Sequence, residues 1–237
     1  MIADPRIEWI EHPDPESWVH AVATEMEAAL AADLAAHGRA RMLLSGGTTP
    51  APIYAQLAVA PLDWPKITVG LVDERWLSPQ DSASNARLVR ENLLDLAEVG
   101  RFEPLVREGL AVAESVHAVN LEAEHAQDPC LTILGMGNDG HTASLFPGSV
   151  DLERVLASEL PYAAIDATGC PVAGDWPLRI TLTPAGFART RRRLLLLRGE
   201  AKREVLLRAL ADGDVRELPI RVVLGLGGEP LRVHWCA

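Results

Sequence analysis

Cysteine is scarce in this chain of 237 residues: Cys130, Cys170 and Cys236 lie far apart, are odd in number and form no C-x-x-C pair. That excludes a disulfide framework and a cysteine-built zinc cage, and leaves the three as reduced core thiols. Lysine is scarcer still, since Lys66 and Lys202 are the only two and arginine fills the other basic positions. Positive charge as a whole is outweighed, with 22 Lys and Arg against 33 Asp and Glu and a formal charge of −11. Such a field opposes non-specific binding to nucleic acid or to an anionic membrane, so any anionic ligand must meet a local basic pocket. No apolar run approaches the roughly 18 to 20 residues a membrane helix needs. Met1 to Glu11 mixes Asp4, Arg6 and Glu8 with single apolar residues and lacks the apolar block of a secretory signal. The expectation is a soluble, cytoplasmic protein. Repeats, low-complexity tracts and long polar linkers are missing too, so residues 1–237 read as one domain.

What is present alternates. Asp14 as a cap, Pro15 in the first turn, an apolar stripe at Trp18, Val22, Met26, Leu30 and Leu34, and Gly38 beyond the end predict a first helix. Short apolar runs recur at Met42 to Leu44, Ile67 to Val72, Leu131 to Leu134, Arg193 to Leu197 and Arg221 to Leu224, with helical stretches between several of them. Near-continuous Val/Ile/Leu runs suit parallel strands covered on both faces, and the alternation implies a doubly wound α/β sheet. In such sheets ligands sit beyond the carboxyl ends of the strands, which directs attention to the loops after Leu44, Val72 and Leu134.

After Leu44 comes Ser45-Gly46-Gly47-Thr48-Thr49-Pro50. Its glycines allow close backbone approach, Thr49 can cap the next helix and Pro50 fits the first turn; free N–H groups and the Thr48 hydroxyl would face an anion. The loop reads either as a phosphate cradle or as a tight strand-to-helix turn, and it lacks the G-K-[ST] ending of a nucleotide P-loop. After Val72, Asp73-Glu74-Arg75 places three ionisable groups at the sheet edge, where Arg75 could grip an oxyanion two-pronged and Asp73 or Glu74 could hold a hydroxyl or orient Arg75. The alternative is a surface ion cluster. Ser84-Asn85 reads as a helix cap before the stripe at Leu88, Val89, Asn92 and Leu93.

The third loop, Gly135-Met136-Gly137-Asn138-Asp139-Gly140-His141, contains G-x-G-x-x-G. A dinucleotide site needs that pattern to open a long helix, and Pro147 interrupts the chain first. What remains is a flexible loop presenting Asp139 and His141, with Ala143, Leu145 and Phe146 to anchor the following segment. Histidine is suited to abstracting a proton near neutral pH. The other six histidines have no comparable setting, no pair has zincin spacing and no serine sits in a G-x-S-x-G elbow. Two further cations stand near strand or helix starts: Arg179, in the alternating Arg179-Ile180-Thr181-Leu182-Thr183, and Lys202, ahead of the stripe at Val205, Leu206 and Ala209. Each could serve the pocket or be an ordinary solvated residue. The run Arg189, Arg191, Arg192 and Arg193 carries no interleaved aromatics and reads as a solvated face.

Taken in order, SGGTTP, DER, SN, GMGNDGHTASLFP, RITLT and GEAK make the chain similar to the 6-phosphogluconolactonase family, within the wider group that contains glucosamine-6-phosphate deaminases. The resemblance spans most of the chain. It implies a three-layer α/β/α Rossmann-like sandwich with a mainly parallel sheet, no cofactor, no metal, and a phosphorylated sugar lactone as the small-molecule partner; the sequence leaves the oligomeric state open between monomer and homodimer. By that likeness His141 activates water, Asp139 orients either His141 or a substrate hydroxyl, and Arg75 belongs to the catalytic set. Ser45, Gly46, Gly47, Thr48, Asp73, Gly137, Arg179 and Lys202 bind the substrate and its phosphate. The related deaminases carry a glutamate five residues after the histidine, where Phe146 stands, and Asp-Glu-Tyr in place of Asp73-Glu74-Arg75. A sugar-phosphate sensor fused to a repressor is the non-catalytic alternative, and a first helix starting near residue 15 is expected to leave no room for a DNA-binding domain ahead of it. The chain departs from the family pattern at Gly174-Asp175-Trp176-Pro177, where relatives have a lysine-proline-rich segment, and after Trp235, where an acidic residue is usual.

Overall fold

The computed structural model describes residues 4–237; residues 1–3, part of the stretch read for a secretory signal, lie outside them. In chain order the strands are β1 (Ile7–His12), β2 (Ala40–Leu44), β3 (Ile67–Leu71), β4 (Asp73–Arg75), β5 (Arg101–Glu103), β6 (Leu131–Leu134), β7 (Tyr162–Asp166), β8 (Leu178–Leu182), β9 (Arg192–Arg198) and β10 (Leu231–Cys236). The α-helices are α1 (Pro15–His37), α2 (Ala51–Leu57), α3 (Asn85–Val89), α4 (Val112–His125), α5 (Leu152–Leu156), α6 (Pro184–Ala188), α7 (Glu200–Leu210) and α8 (Arg221–Leu224). Seven strands form one parallel sheet in the order β1-β10-β9-β6-β2-β3-β5.

Every residue of β2 and β6 is buried, as expected for central parallel strands with helices on both faces. α1 touches β1, β2, β6 and β10 and so spans much of the sheet. Its start and stop follow the sequence. Asp14 accepts from the Ser17 N–H at 2.8 Å, Pro15 opens the first turn, and Gly38 at φ 72° donates to the Leu34 carbonyl. The fold is the three-layer α/β/α sandwich the resemblance implies.

A second sheet, antiparallel and ordered β4-β8-β7, stands at the carboxyl edge of the first. Val72 is the junction. Its N–H donates to the Leu44 carbonyl at 3.0 Å and its carbonyl accepts from the Leu182 N–H at 2.7 Å. The chain leaving β3 is therefore locked to both sheets before it reaches Asp73, which places β4 and β8 beside the loops that follow β2 and β6.

Three sequence expectations are corrected. Arg221 to Leu224, expected as a buried strand, is the helix α8. Pro219 lies in the turn that leads into it and accepts from the Val222 N–H, the Ile220 N–H donates to the Gly140 carbonyl, and Ile220, Val223 and Leu224 are buried at the i, i+3, i+4 spacing of one helix face. Thr49 does not cap α2, which begins at Ala51 after a turn closed by the Ile53 N–H on the Pro50 carbonyl. The arginine run is a solvated face only in part, since Arg191 is exposed and Arg192 partly so. Arg193 is buried and donates to the Gly227 and Glu229 carbonyls, Arg191 pairs with the buried Asp33, and Arg189 pairs with Asp128.

Candidate active site

A cleft of about 250 Å³ opens at the carboxyl ends of β2, β3, β6 and β9. The loop after β2 supplies Ser45, Gly46 and Gly47; β4 supplies Asp73 and Arg75; the loop after β6 supplies Gly135 to Gly137, His141 and Ala143; β8 supplies Arg179 and α7 supplies Lys202. Leu134, Met136 and Leu196 give it an apolar floor.

The loop after β6 folds around its own histidine. The Gly140 N–H donates to the Gly137 carbonyl at 3.0 Å and the Gly137 N–H to the His141 carbonyl at 2.9 Å, closing a compact turn in which Gly140 takes φ 79°. Inside it, His141 Nδ1 lies 2.6 Å from Asp139 Oδ1. A Cβ on residue 137 would stand 2.2 Å from that Nδ1 and 2.5 Å from the Asp139 oxygen, so only glycine fits there. Burial alone would raise the Asp139 carboxyl, but the hydrogen bond and charge of His141 outweigh it and hold the pKa below the ordinary carboxylate value. An ionised Asp139 requires a proton on Nδ1, which leaves the Nε2 lone pair without a partner among the described residues. The imidazole is partly exposed to the cleft. Downstream, Ser144 fastens the loop to the small sheet, with its N–H on Thr181 Oγ1 at 3.1 Å and its hydroxyl on Asp73 Oδ2 at 2.5 Å. Ala143 adopts φ 48°, a left-handed conformation seldom taken by a residue other than glycine, to make that turn.

The cations reach the cleft in different ways. Arg75 Nη1 donates to the Ala83 carbonyl at 2.6 Å and to Asn85 Oδ1 at 2.9 Å. Arg179 is buried, with Nε on the Trp176 carbonyl at 2.6 Å and Nη2 on the Ala173 carbonyl at 2.8 Å, and burial lowers its pKa from the usual guanidinium value. The departing segment around Trp176 is thus tied to Arg179 through main-chain carbonyls, which any sequence provides. Lys202 forms no ion pair among the described residues, and burial lowers its pKa. Within a chain of net charge −11, the cleft lining collects three cations against the one carboxylate of Asp73, with Asp139 behind His141.

Two residues do not sit as expected. Thr48 is exposed and faces an adjoining concavity beside Ser82, Arg87 and Asn92, outside the cleft. Glu74 is buried and accepts from the main-chain N–H groups of Arg75, Asn85 and Ala86 and from the Ser84 hydroxyl. Burial raises its pKa against those bonds, and it is committed to holding the start of α3. Because Asp73 and Glu74 are both buried, the surface-cluster reading of this segment fails. Asn85, read from sequence as a cap residue beside Ser84, lines the cleft; of the two, Ser84 is the cap, accepting from the Arg87 N–H.

Residues 13–235 match the family model described as glucosamine-6-phosphate isomerases/6-phosphogluconolactonase. The chain belongs to that family. A 6-phosphogluconolactonase of Xylella fastidiosa (strain 9a5c) is 54% identical over 234 residues, covering 99% of this chain and 98% of the relative. One from Rhizobium meliloti (strain 1021) is 40% identical over 229 residues, covering 94% and 95%. The crystal structure of a 6-phosphogluconolactonase from Shewanella baltica OS155 superposes with a TM-score of 0.89 at 32% identity, covering 97% of each chain. The chain thus shares its fold with the Shewanella structure, and the matches run over more than nine-tenths of this chain and of each relative. No helix among its described residues is long and apolar enough to cross a membrane.

Proposed function

We propose that this protein, acting in the cytoplasm as one catalytic domain, hydrolyses 6-phospho-D-glucono-1,5-lactone to 6-phosphogluconate, with His141 as the general base. The observation that carries the reading is the Asp139–His141 pair at 2.6 Å, which frees Nε2 at the rim of a cleft holding Arg75, Arg179 and Lys202. Nε2 takes a proton from water, and the resulting hydroxide adds to the lactone carbonyl carbon. The tetrahedral oxyanion is stabilised by a neighbouring cation. Its collapse breaks the bond between that carbon and the ring oxygen, which receives the proton held by His141. The reaction is acid–base throughout and transfers no electrons to a carrier. A positioned base typically contributes about 10² to 10⁴ in rate, enough for a reactive ester.

The substrate phosphate has the glycine loop at Ser45 to Gly47 and the cleft cations as its partners. Phe146, packed on His141, supports hydrolysis over deamination, because it sets an apolar ring where the related deaminases carry a glutamate. The test is to generate the lactone freshly with glucose-6-phosphate dehydrogenase and follow its loss with and without the protein, correcting for spontaneous hydrolysis. Acceleration that is abolished in His141→Asn is the expected result. Unchanged loss, or ammonia release from glucosamine 6-phosphate, overturns the reading.

A further inference from the structure

Each arginine of the cleft has some of its five N–H groups committed to the protein, and the remainder decides what it can offer a ligand. On Arg75 both Nη1 hydrogens are used, by the Ala83 carbonyl and by Asn85 Oδ1. Nε and Nη2 donate to no described residue and are not sealed in the interior. These two nitrogens form the side-on edge of a guanidinium, whose parallel N–H bonds match two oxygens of a phosphate or carboxylate. On Arg179 the pattern is inverted. Its Nε and Nη2 are taken by the Trp176 and Ala173 carbonyls, so its side-on edge is spent on the protein.

Asn85 is what holds Arg75 in this attitude. It is buried, its Nδ2 donates to the Asp73 carbonyl at 2.8 Å and lies 3.3 Å from Asp73 Oδ1, and its N–H is fixed by Glu74 Oε1 at 2.8 Å. With the amide nitrogen committed to Asp73, the oxygen must face Arg75. The same oxygen would be 1.8 Å from a Cβ at position 46, so the glycine loop passes directly against it. One side chain therefore sets the distance between the guanidinium and the backbone of the loop after β2.

We propose that Asn85 is a positioning residue that turns the side-on edge of Arg75 into the cleft, making Arg75 the two-point ligand for a substrate oxyanion. This rests on the lactonase reading only for the identity of that oxyanion. The experiment is a double-mutant cycle of Asn85→Ala and Arg75→Ala, read as the dissociation constant for 6-phosphogluconate by calorimetry and as KM and kcat for the lactone. Calorimetry needs no turnover, so a wild type that binds 6-phosphogluconate without hydrolysing the lactone would sink the lactonase reading while leaving this one testable. We expect Asn85→Ala to weaken binding and raise KM about tenfold, and to do nothing further once Arg75 is absent, within about twofold. The same loss in both backgrounds, or no loss in either, overturns the proposal. If the alanine variant fails to fold, Asn85→Leu, which keeps the side-chain size but has no oxygen to accept from Arg75, enters the same cycle with the same criterion. Arg75→Lys, a cation without a side-on edge, is expected to match Arg75→Ala in binding; full binding by the lysine variant also overturns it.

Discussion

The imidazole of His141 rests on the ring of Phe146, with centroids 4.6 Å apart and planes tilted by 40°. The guanidinium carbon of Arg179 lies 5.3 Å from the centre of the same ring. Phe146 is thus shared between the base and a cation, and is itself packed with Ala167, Cys170 and Ala173 in a small cluster separate from the main core. An aromatic pair of this kind contributes roughly 0.5 to 1.5 kcal/mol beyond burial. Leucine would fill the space but offer no flat face. Phe146→Leu is expected to lower kcat about three- to tenfold while the protein still melts cooperatively. Steady-state kinetics beside a thermal melt check this, and an undiminished kcat would reduce Phe146 to a filler of the cluster.

Asp139→Asn tests the tautomer argument. The amide keeps the size of the carboxylate, but its NH₂ can donate to Nδ1 and stabilise the ring with its proton on Nε2. The variant should fold normally and lose about 10- to 100-fold in kcat, with KM little changed. Equal turnover in wild type and variant would remove Asp139 from the chemistry.

Gly137→Ala asks the same question by steric means. Its Cβ would overlap both His141 Nδ1 and Asp139 Oδ1. The pair must separate, and kcat is expected to fall as far as in Asp139→Asn, while the wider fold, to which residue 137 gives no side chain, persists. Circular dichroism and kcat measured on one preparation decide it.

Much of this was legible in the sequence because the signals were local. The cap, stripe and stop of α1 lie within one helix, and the glycines at 137 and 140 announce a loop whose backbone must do something special. Other features depended on partners distant in the chain. Asn85 looks like a cap until Asp73, Arg75 and Gly46 are brought around it, and Thr48 looks like a cradle residue until the turn at Gly47, with φ 95°, directs it elsewhere. Arg221 to Leu224 is too short for periodicity to separate helix from strand, and only the contact between Ile220 and Gly140 settles it. The antiparallel sheet was half visible, since β8 alternates clearly while β4 is three residues of ionisable side chains whose burial no sequence pattern reveals.

The pairing of β1 with β10 creates a second histidine cluster that should govern acid stability. His12 and His234 stack with centroids 5.3 Å apart, His12 Nε2 lies 3.1 Å from His234 Nδ1, and His234 Nε2 lies 3.0 Å from Glu25, which also pairs with Arg232. If His234 donates to Glu25, its Nδ1 accepts from His12, an arrangement that leaves no room for a proton on both facing nitrogens. Burial and the neighbouring His234, against the weaker pull of Asp14 and Glu25, lower the pKa of His12 below 6.5. The unfolded chain therefore takes up a proton that the folded one refuses, and stability falls as pH drops below about 6.5. Burial would raise Glu25, but the bonds from His234 and Arg232 carry it down from 4.5 to about 2. Its contribution is complete above pH 4.5 and is lost as pH falls from there toward 2. Melting temperature is expected to decline in these two windows. Glu25→Gln should cost about 1 to 3 kcal/mol at pH 7 and flatten the lower one, because the variant has no carboxylate to protonate. A variant whose melting temperature falls as steeply below pH 4.5 as that of the wild type would place the acid sensitivity elsewhere.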